Sequence, residues 1–206
     1  MGEGPAAYLS PLASVDWLEI FGAVTGFLCV WLVARQNLWN WPLGITNNLL
    51  YLVVFWRARL YADASLQVVF AMLGAYGWYQ WMRVPTPGLK LPVRRTSATE
   101  WAGLALFVAA AQAAVYAWLS RRTDSPVPFW DAAILTLSLA ATYGQARKRL
   151  ECWHLWIAVD IISVPLYFSR GLRPTAALYF LFLCICVKGL VDWRRDLLAS
   201  EASSPA

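Results

Sequence analysis

Cys152–Gly171 reads CWHLWIAVDIISVPLYFSRG, an almost unbroken apolar and aromatic run with one acid, Asp160, near its middle. At helical spacing Trp153, Trp156 and Asp160 stand at i, i+3 and i+7, so two indoles and a carboxylate share one face. The run is long enough to cross a hydrocarbon core, which takes about 20 residues. An acid at that depth is costly and by default faces a bundle interior, at a binding or transport site. Pro165, just beyond it, frees a backbone carbonyl in the same region.

Composition extends this reading to the whole chain. Of 206 residues, 60% are hydrophobic and 14% charged, against roughly 25% charged in soluble chains. The apolar residues gather into seven runs: Trp17–Ala34, Trp41–Trp56, Ala64–Met82, Trp101–Leu119, Trp130–Ala146, Trp153–Phe168 and Thr175–Val191. The expected fold is an all-α integral membrane protein with seven transmembrane helices. Thirteen Trp exceed what anchoring at a membrane interface needs, so some should line a site. The net charge of +5 sits in short loops, where the positive-inside bias accounts for it without nucleic acid. Cys29, Cys152, Cys184 and Cys186 form no CxxC pair and read as packing residues. The acidic amino terminus lacks the basic n-region of a cleavable signal peptide. His154 is the only histidine, and there is no HExxH, phosphate-cradling glycine loop or paired carboxylate set. Enzymatic chemistry and a resident metal or cofactor are therefore not expected.

Sliding the chain by 112 residues aligns the first three runs with the last three, without a gap, from Glu19/Asp131 to Trp81/Trp193. Arg35/Arg147, Trp41/Trp153, Gly77/Gly189 and Trp81/Trp193 are identical pairs, and Asn48 falls opposite Asp160. Two three-helix units with one connector between them enter the membrane from the same side. That is a 3+1+3 parallel repeat, which places a substrate site where the halves meet near the midplane. The expected division is residues 1–16 as an extracellular segment, 17–82 as the first unit and 83–100 as a cytoplasmic loop. Residues 101–119 form the connector, 130–193 the second unit and 194–206 a cytoplasmic tail, polar and disordered at its end. One face of the membrane receives Arg57, Arg59, Arg121, Arg122, Arg170 and Arg173. The other receives Arg35, Arg83, Lys90, Arg94, Arg95, Arg147, Lys148, Arg149, Arg194 and Arg195. Ten against six puts the amino terminus outside and the carboxyl terminus in the cytoplasm.

Polar side chains inside the runs are few. Asp160 is the leading candidate, with Trp153 and Trp156 on its face. Asn47 and Asn48 lie at the equivalent depth of the second run; amides there either line the site or tie helices together. Gln67 is comparable, while Gln112, in the connector, reads as structural. Glu19 and Asp131 open the first helix of each unit and suit its dipole. A carboxylate flanked by indoles favours a flat, cationic heteroaromatic ligand, because aromatic faces stack rings and attract cations.

LYAxxxLQ (Leu60, Tyr61, Ala62, Leu66, Gln67), YGWYxW (Tyr76 to Trp81), PFWD (Pro128 to Asp131) and WxxWxxxD (Trp153, Trp156, Asp160) occur in this order. In these motifs, and from about Trp17 to Trp193, the chain resembles the Pnu vitamin transporters, a family that includes nicotinamide riboside and thiamine carriers. The resemblance implies a 3+1+3 plan similar to that of the sugar-transporting SWEETs and a homotrimer with one pathway per subunit. It also implies facilitated diffusion across the cell's inner membrane, with the vitamin trapped by a cytoplasmic kinase. It assigns substrate contact to Trp153, Trp156 and position 160, with Asn47 and Gln67 lining the same cavity. The riboside carriers have Asn at the position of Asp160, so this departure leaves the ligand open between the riboside, thiamine and, in another class, a neutral sugar.

Overall fold

The computed structural model describes residues 17–57, 59, 61–83 and 91–202, without the side chains of residues 17–20 and 62. It contains seven helices: α1 Trp17–Ala34, α2 Asn40–Arg57, α3 Tyr61–Met82, α4 Ala98–Arg122, α5 Pro128–Ala146, α6 Cys152–Ser169 and α7 Arg173–Ala202. Each contains one of the seven apolar runs. The last helix continues well past its run, because Trp193 and Leu197 are buried and Glu201 pairs with Arg95. What reads in sequence as a polar tail is thus helical to Ala202, and residues 203–206 lie outside the described residues. Among the described residues, α4, α6 and α7 are both long and apolar enough to cross a membrane on composition alone, with Phe21–Ala34 a shorter apolar stretch. The helices α2 and α5 fall short because they carry polar residues, Asn40, Asn47 and Asn48 in the one and Asp131, Ser138, Thr142 and Gln145 in the other.

Local signals set the helix ends. Ser97 caps α4, its hydroxyl accepting from the Glu100 N–H while the Glu100 carboxylate accepts from the Ser97 N–H. The helix α5 opens on Pro128, which suits a first turn where no N–H donor is needed. At the end of α6 the Leu172 N–H reaches back to the Tyr167 carbonyl across Gly171, which has φ 78°. That six-residue return needs a left-handed residue and glycine supplies it without steric cost.

The same offset of 112 recurs in the backbone. Moved by it, α2 falls on α6, and the left-handed residues Gln36 and Arg59 fall on Lys148 and Gly171. Within each three-helix set a tryptophan sits against a glycine of the third helix. A Cβ on Gly77 would lie 2.3 Å from the Trp41 ring, and one on Gly189 would lie 2.5 Å from the Trp153 ring. Each indole then meets a second one edge-on: Trp41 with Trp81 at 5.5 Å and 86°, Trp153 with Trp193 at 5.4 Å and 88°.

Six of the helices close into a ring. Each of α1, α2, α3, α5, α6 and α7 packs on the next in that order, and α7 returns to α1. The remaining helix, α4, packs on α5 alone and has no buried residue. Gln112 donates to the Phe129 carbonyl and accepts from Thr136, so it ties α4 to α5 in the structural role expected of it. Large apolar side chains such as Phe21, Leu49, Met72, Leu106, Ile161 and Phe180 cover the outside of the bundle. Outward-facing apolar surface on this scale fits contact with lipid.

Candidate functional site

The ring encloses a cavity of about 280 Å³, to which all six ring helices contribute. Its size is at the lower end of small-molecule sites, which run from about 300 Å³ upward. Trp153, Trp156 and Asp160 line it from α6, and Asn47 and Asn48 line it from α2. Five of the six residues picked out in the sequence therefore share one cavity. Gln67 is half-buried on α3 and is not among the lining residues. The position 112 residues after it, Tyr179, does line the cavity. His154 is exposed, and the Glu19 side chain lies outside the described residues. Asp131 sits in the first turn of α5 and accepts a hydrogen bond from Ser125, as a helix-opening acid should.

Asp160 is 2% exposed, and its Oδ2 is buried without a hydrogen-bond partner. The indole N–H groups of Trp41 and Trp153 and Oδ1 of Asn47 are in the same condition. Buried polar atoms are nearly always paired, so each orphan calls for an explanation. Here two donors and two acceptors belong to residues that line one cavity, an arrangement suited to a ligand carrying both kinds of group. Asp160 takes part in none of the ion pairs among the described residues. A cationic ligand is one partner that would offset the cost of burying a carboxylate there.

Several lining residues carried no signal in the sequence. Gln145, at the end of α5, accepts the indole N–H of Trp156 on its Oε1 at 3.1 Å, and its backbone carbonyl accepts from the Trp81 indole at 3.2 Å. It fixes the ring of Trp156 in the cavity wall. The position 112 residues before Trp156 is Gly44, also in the lining, so one wall carries an indole where the other carries nothing. Asn40, Ser138, Thr142, Phe70, Phe182 and Cys186 complete much of the surface. A bare polar side chain at a helix end looks like a loop residue in a sequence. Only the 112-residue offset, read for mismatches, would have singled out Gln145, which stands against Val33.

This bundle is similar to known proteins. A crystal structure of the vitamin B3 transporter PnuC superposes with a TM-score of 0.72 over 91% of this chain and 84% of that one, at 23% identity, which shows the shared fold. The riboflavin/roseoflavin transporter RibM of Streptomyces davaonensis is 30% identical over 200 residues, covering 93% of each chain. The nicotinamide riboside transporter PnuC of Escherichia coli is 26% identical over 204 residues, covering 87% of this chain and 85% of that one. The resemblance carried by the four motifs thus holds, and the chain is a multi-pass membrane protein of transporter type. A model of the nicotinamide mononucleotide transporter family matches residues 16–195, and the chain belongs to that family.

Proposed function

We propose that this protein takes up nicotinamide riboside, or a closely similar flat cationic vitamin, by facilitated diffusion. The observation that carries the reading is the Asp160 carboxylate, with Oδ2 lacking a hydrogen-bond partner, in a cavity walled by Trp153 and Trp156. The substrate ring stacks on Trp156, and its ring charge lies toward Asp160. Asn47 and Asn48 hydrogen-bond the sugar hydroxyls. Residues 17–82 and 130–193 act as two units of a 3+1+3 parallel repeat of SWEET type, joined by the connector helix. Support comes from the paired helix bounds, the paired left-handed residues and the paired Trp–Gly contacts at one offset. Rocking of one unit against the other alternates access. The amino terminus is outside, the carboxyl terminus is cytoplasmic, the protein works as a homotrimer in the inner membrane, and a cytoplasmic kinase traps the vitamin.

Calorimetric titration of the purified protein tests the ligand. Tight binding of nicotinamide riboside and not of thiamine is the expected result; thiamine alone would make this a thiamine carrier with Asp160 as its selectivity residue. A second reading, riboflavin, is favoured by the 30% identity to a flavin transporter. The flavin ring is flat but uncharged, so under that reading Asp160→Asn leaves binding intact. Uptake of a neutral sugar with no vitamin binding would overturn the vitamin reading altogether.

A further inference from the structure

A second cavity of about 340 Å³ lies at the α1–α2 and α5–α6 loops, lined by Arg35, Gln36, Leu38, Trp81, Leu91 and Lys148 among others. Trp81, Gln36 and Lys148 border the second cavity and not the first, whereas Gln145 borders the first. The Trp81–Gln145 hydrogen bond joins the walls of the two spaces, and with the Lys148–Gln36 bond beside it we take these four residues as the partition between them.

The partition is built from bonds that cross between the two three-helix sets. Lys148 Nζ, on the second, donates to Gln36 Oε1 of the first at 2.7 Å, and to the Leu91 carbonyl at 2.8 Å. The same ammonium lies 4.5 Å from the Trp81 ring centroid and 5.9 Å from that of Trp193, and Lys148 is 1% exposed. The Trp81 indole, on the first set, donates to the Gln145 carbonyl of the second. Gln36 and Lys148 are 112 residues apart, and each ends its helix in the left-handed region, at φ 52° and 50°. Glycine is favoured there, and a residue with a Cβ is strained. The strain is tolerated at both equivalent positions, and the two side chains it presents bond to each other. Strained backbone held in place by its surroundings is a mark of functional positions.

The segment 91–97 belongs with the second set. Its Arg94 N–H donates to the Lys148 carbonyl and its carbonyl accepts from the Leu150 N–H, while Thr96 donates to Glu151. Lys148 thus keeps the Leu91 carbonyl when the two sets separate, and gives up Gln36 and the face of Trp81. Gln36 also donates to Asp196 of α7, and these three crossing hydrogen bonds are few enough to break and reform on each cycle.

We propose that Gln36 and Lys148, with the Trp81–Gln145 hydrogen bond beside them, are the seal that closes the substrate cavity at this end, and that transport requires them to part. The inference rests on the transport reading above. It is tested on the full-length protein in liposomes, through Cys29, which lines the central cavity. A water-soluble thiosulfonate is added on the side of the α1–α2 loop, and modification of Cys29 is followed by peptide mass. Gln36→Leu and Lys148→Met should each speed modification by about tenfold, the population change that one hydrogen bond to a charged donor permits. Gln36→Leu decides the matter if Lys148→Met does not fold. Linking the pair Gln36→Cys and Lys148→Cys with a reducible bifunctional thiosulfonate should stop uptake and leave vitamin binding intact. Reduction should restore uptake. An unchanged Cys29 rate in the variants, or linked protein that transports at the unlinked rate, overturns the seal. Failure of the unlinked protein to take up any vitamin overturns the transport reading, and the Cys29 rates still decide the seal.

Discussion

The first three helices and the last three are alike in packing and unlike in charge. The Trp–Gly contact and the edge-on indole pair recur almost atom for atom, with centroid distances of 5.5 and 5.4 Å. Chemistry does not recur. Asn48 stands where the second set has Asp160, Gln36 where it has Lys148, Val33 where it has Gln145 and Gly44 where it has Trp156. Sterically sensitive positions carry the same residue in both sets, Trp41 and Trp153 in the cavity lining included, while these four pairs differ. In the proposed site one half contributes a carboxyl group and an indole, and the other contributes amides and space.

That division can be broken by substitution. The largest expected effect is on the ligand: Asp160→Ala should weaken nicotinamide riboside by about 100-fold, the scale of a lost hydrogen bond to a charged group. Asn48→Ala should cost only about fivefold, a neutral hydrogen bond. Equal losses by calorimetry would mean that the charge asymmetry is unrelated to binding. Next come Gly77→Ala and Gly189→Ala, which drive a methyl group into a ring that backbone and neighbours hold fast. Each should cost about 1–3 kcal/mol as overpacking, read as matching drops in thermal midpoint. One tolerated and one not would show that the packing likeness is only apparent. Gln145→Leu frees the Trp156 indole and should weaken the ligand by about fivefold, whereas Val33→Leu, at the matching position, should leave affinity unchanged. If both variants bind alike, Gln145 does not position the ring.

The smallest effect concerns the clip at the α5–α6 loop, where the Arg149 guanidinium donates to the Glu100 carboxylate of α4. Glu100 accepts the Ser97 N–H, which holds its carboxyl below the ordinary 4.5, and the nearby Arg149 guanidinium acts in the same direction. A pKa lowered on folding stabilises the fold fully above the ordinary value, and that contribution fades as pH falls through the lowered one. Glu100→Gln should therefore flatten the acid limb of a stability-against-pH curve. The change should stay below about 1 kcal/mol, since water screens this partly exposed group. Identical acid limbs for the two proteins would remove the electrostatic part of the clip.

Hydrophobic runs and one ungapped offset made the helices legible, because membrane length and steric repetition write themselves into sequence spacing. Trp153, Trp156 and Asp160 were legible for a similar reason: an acid among indoles on one face has few other uses. Lys148 was not. In sequence it is one of three loop cations after α5, yet the fold buries it under two indoles. Its burial depends on Leu91 and Gln36, which are remote in the chain and carry no local signal. Gln67 shows the reverse: its depth matched the cavity, but facing is set by how α3 turns against α2 and α5, which depth alone does not report.

The loose hold on α4 bears on how the chain can be made. A helix with no buried residue, resting on α5 alone, contributes continuity more than cohesion. The six-helix ring would then assemble from two separately synthesised polypeptides, one ending and the next beginning near Thr123, in the short stretch between α4 and α5. Such a split would allow each half to carry its own label or variant. The protein would become a two-component assembly whose halves can be mixed, matched and titrated against one another.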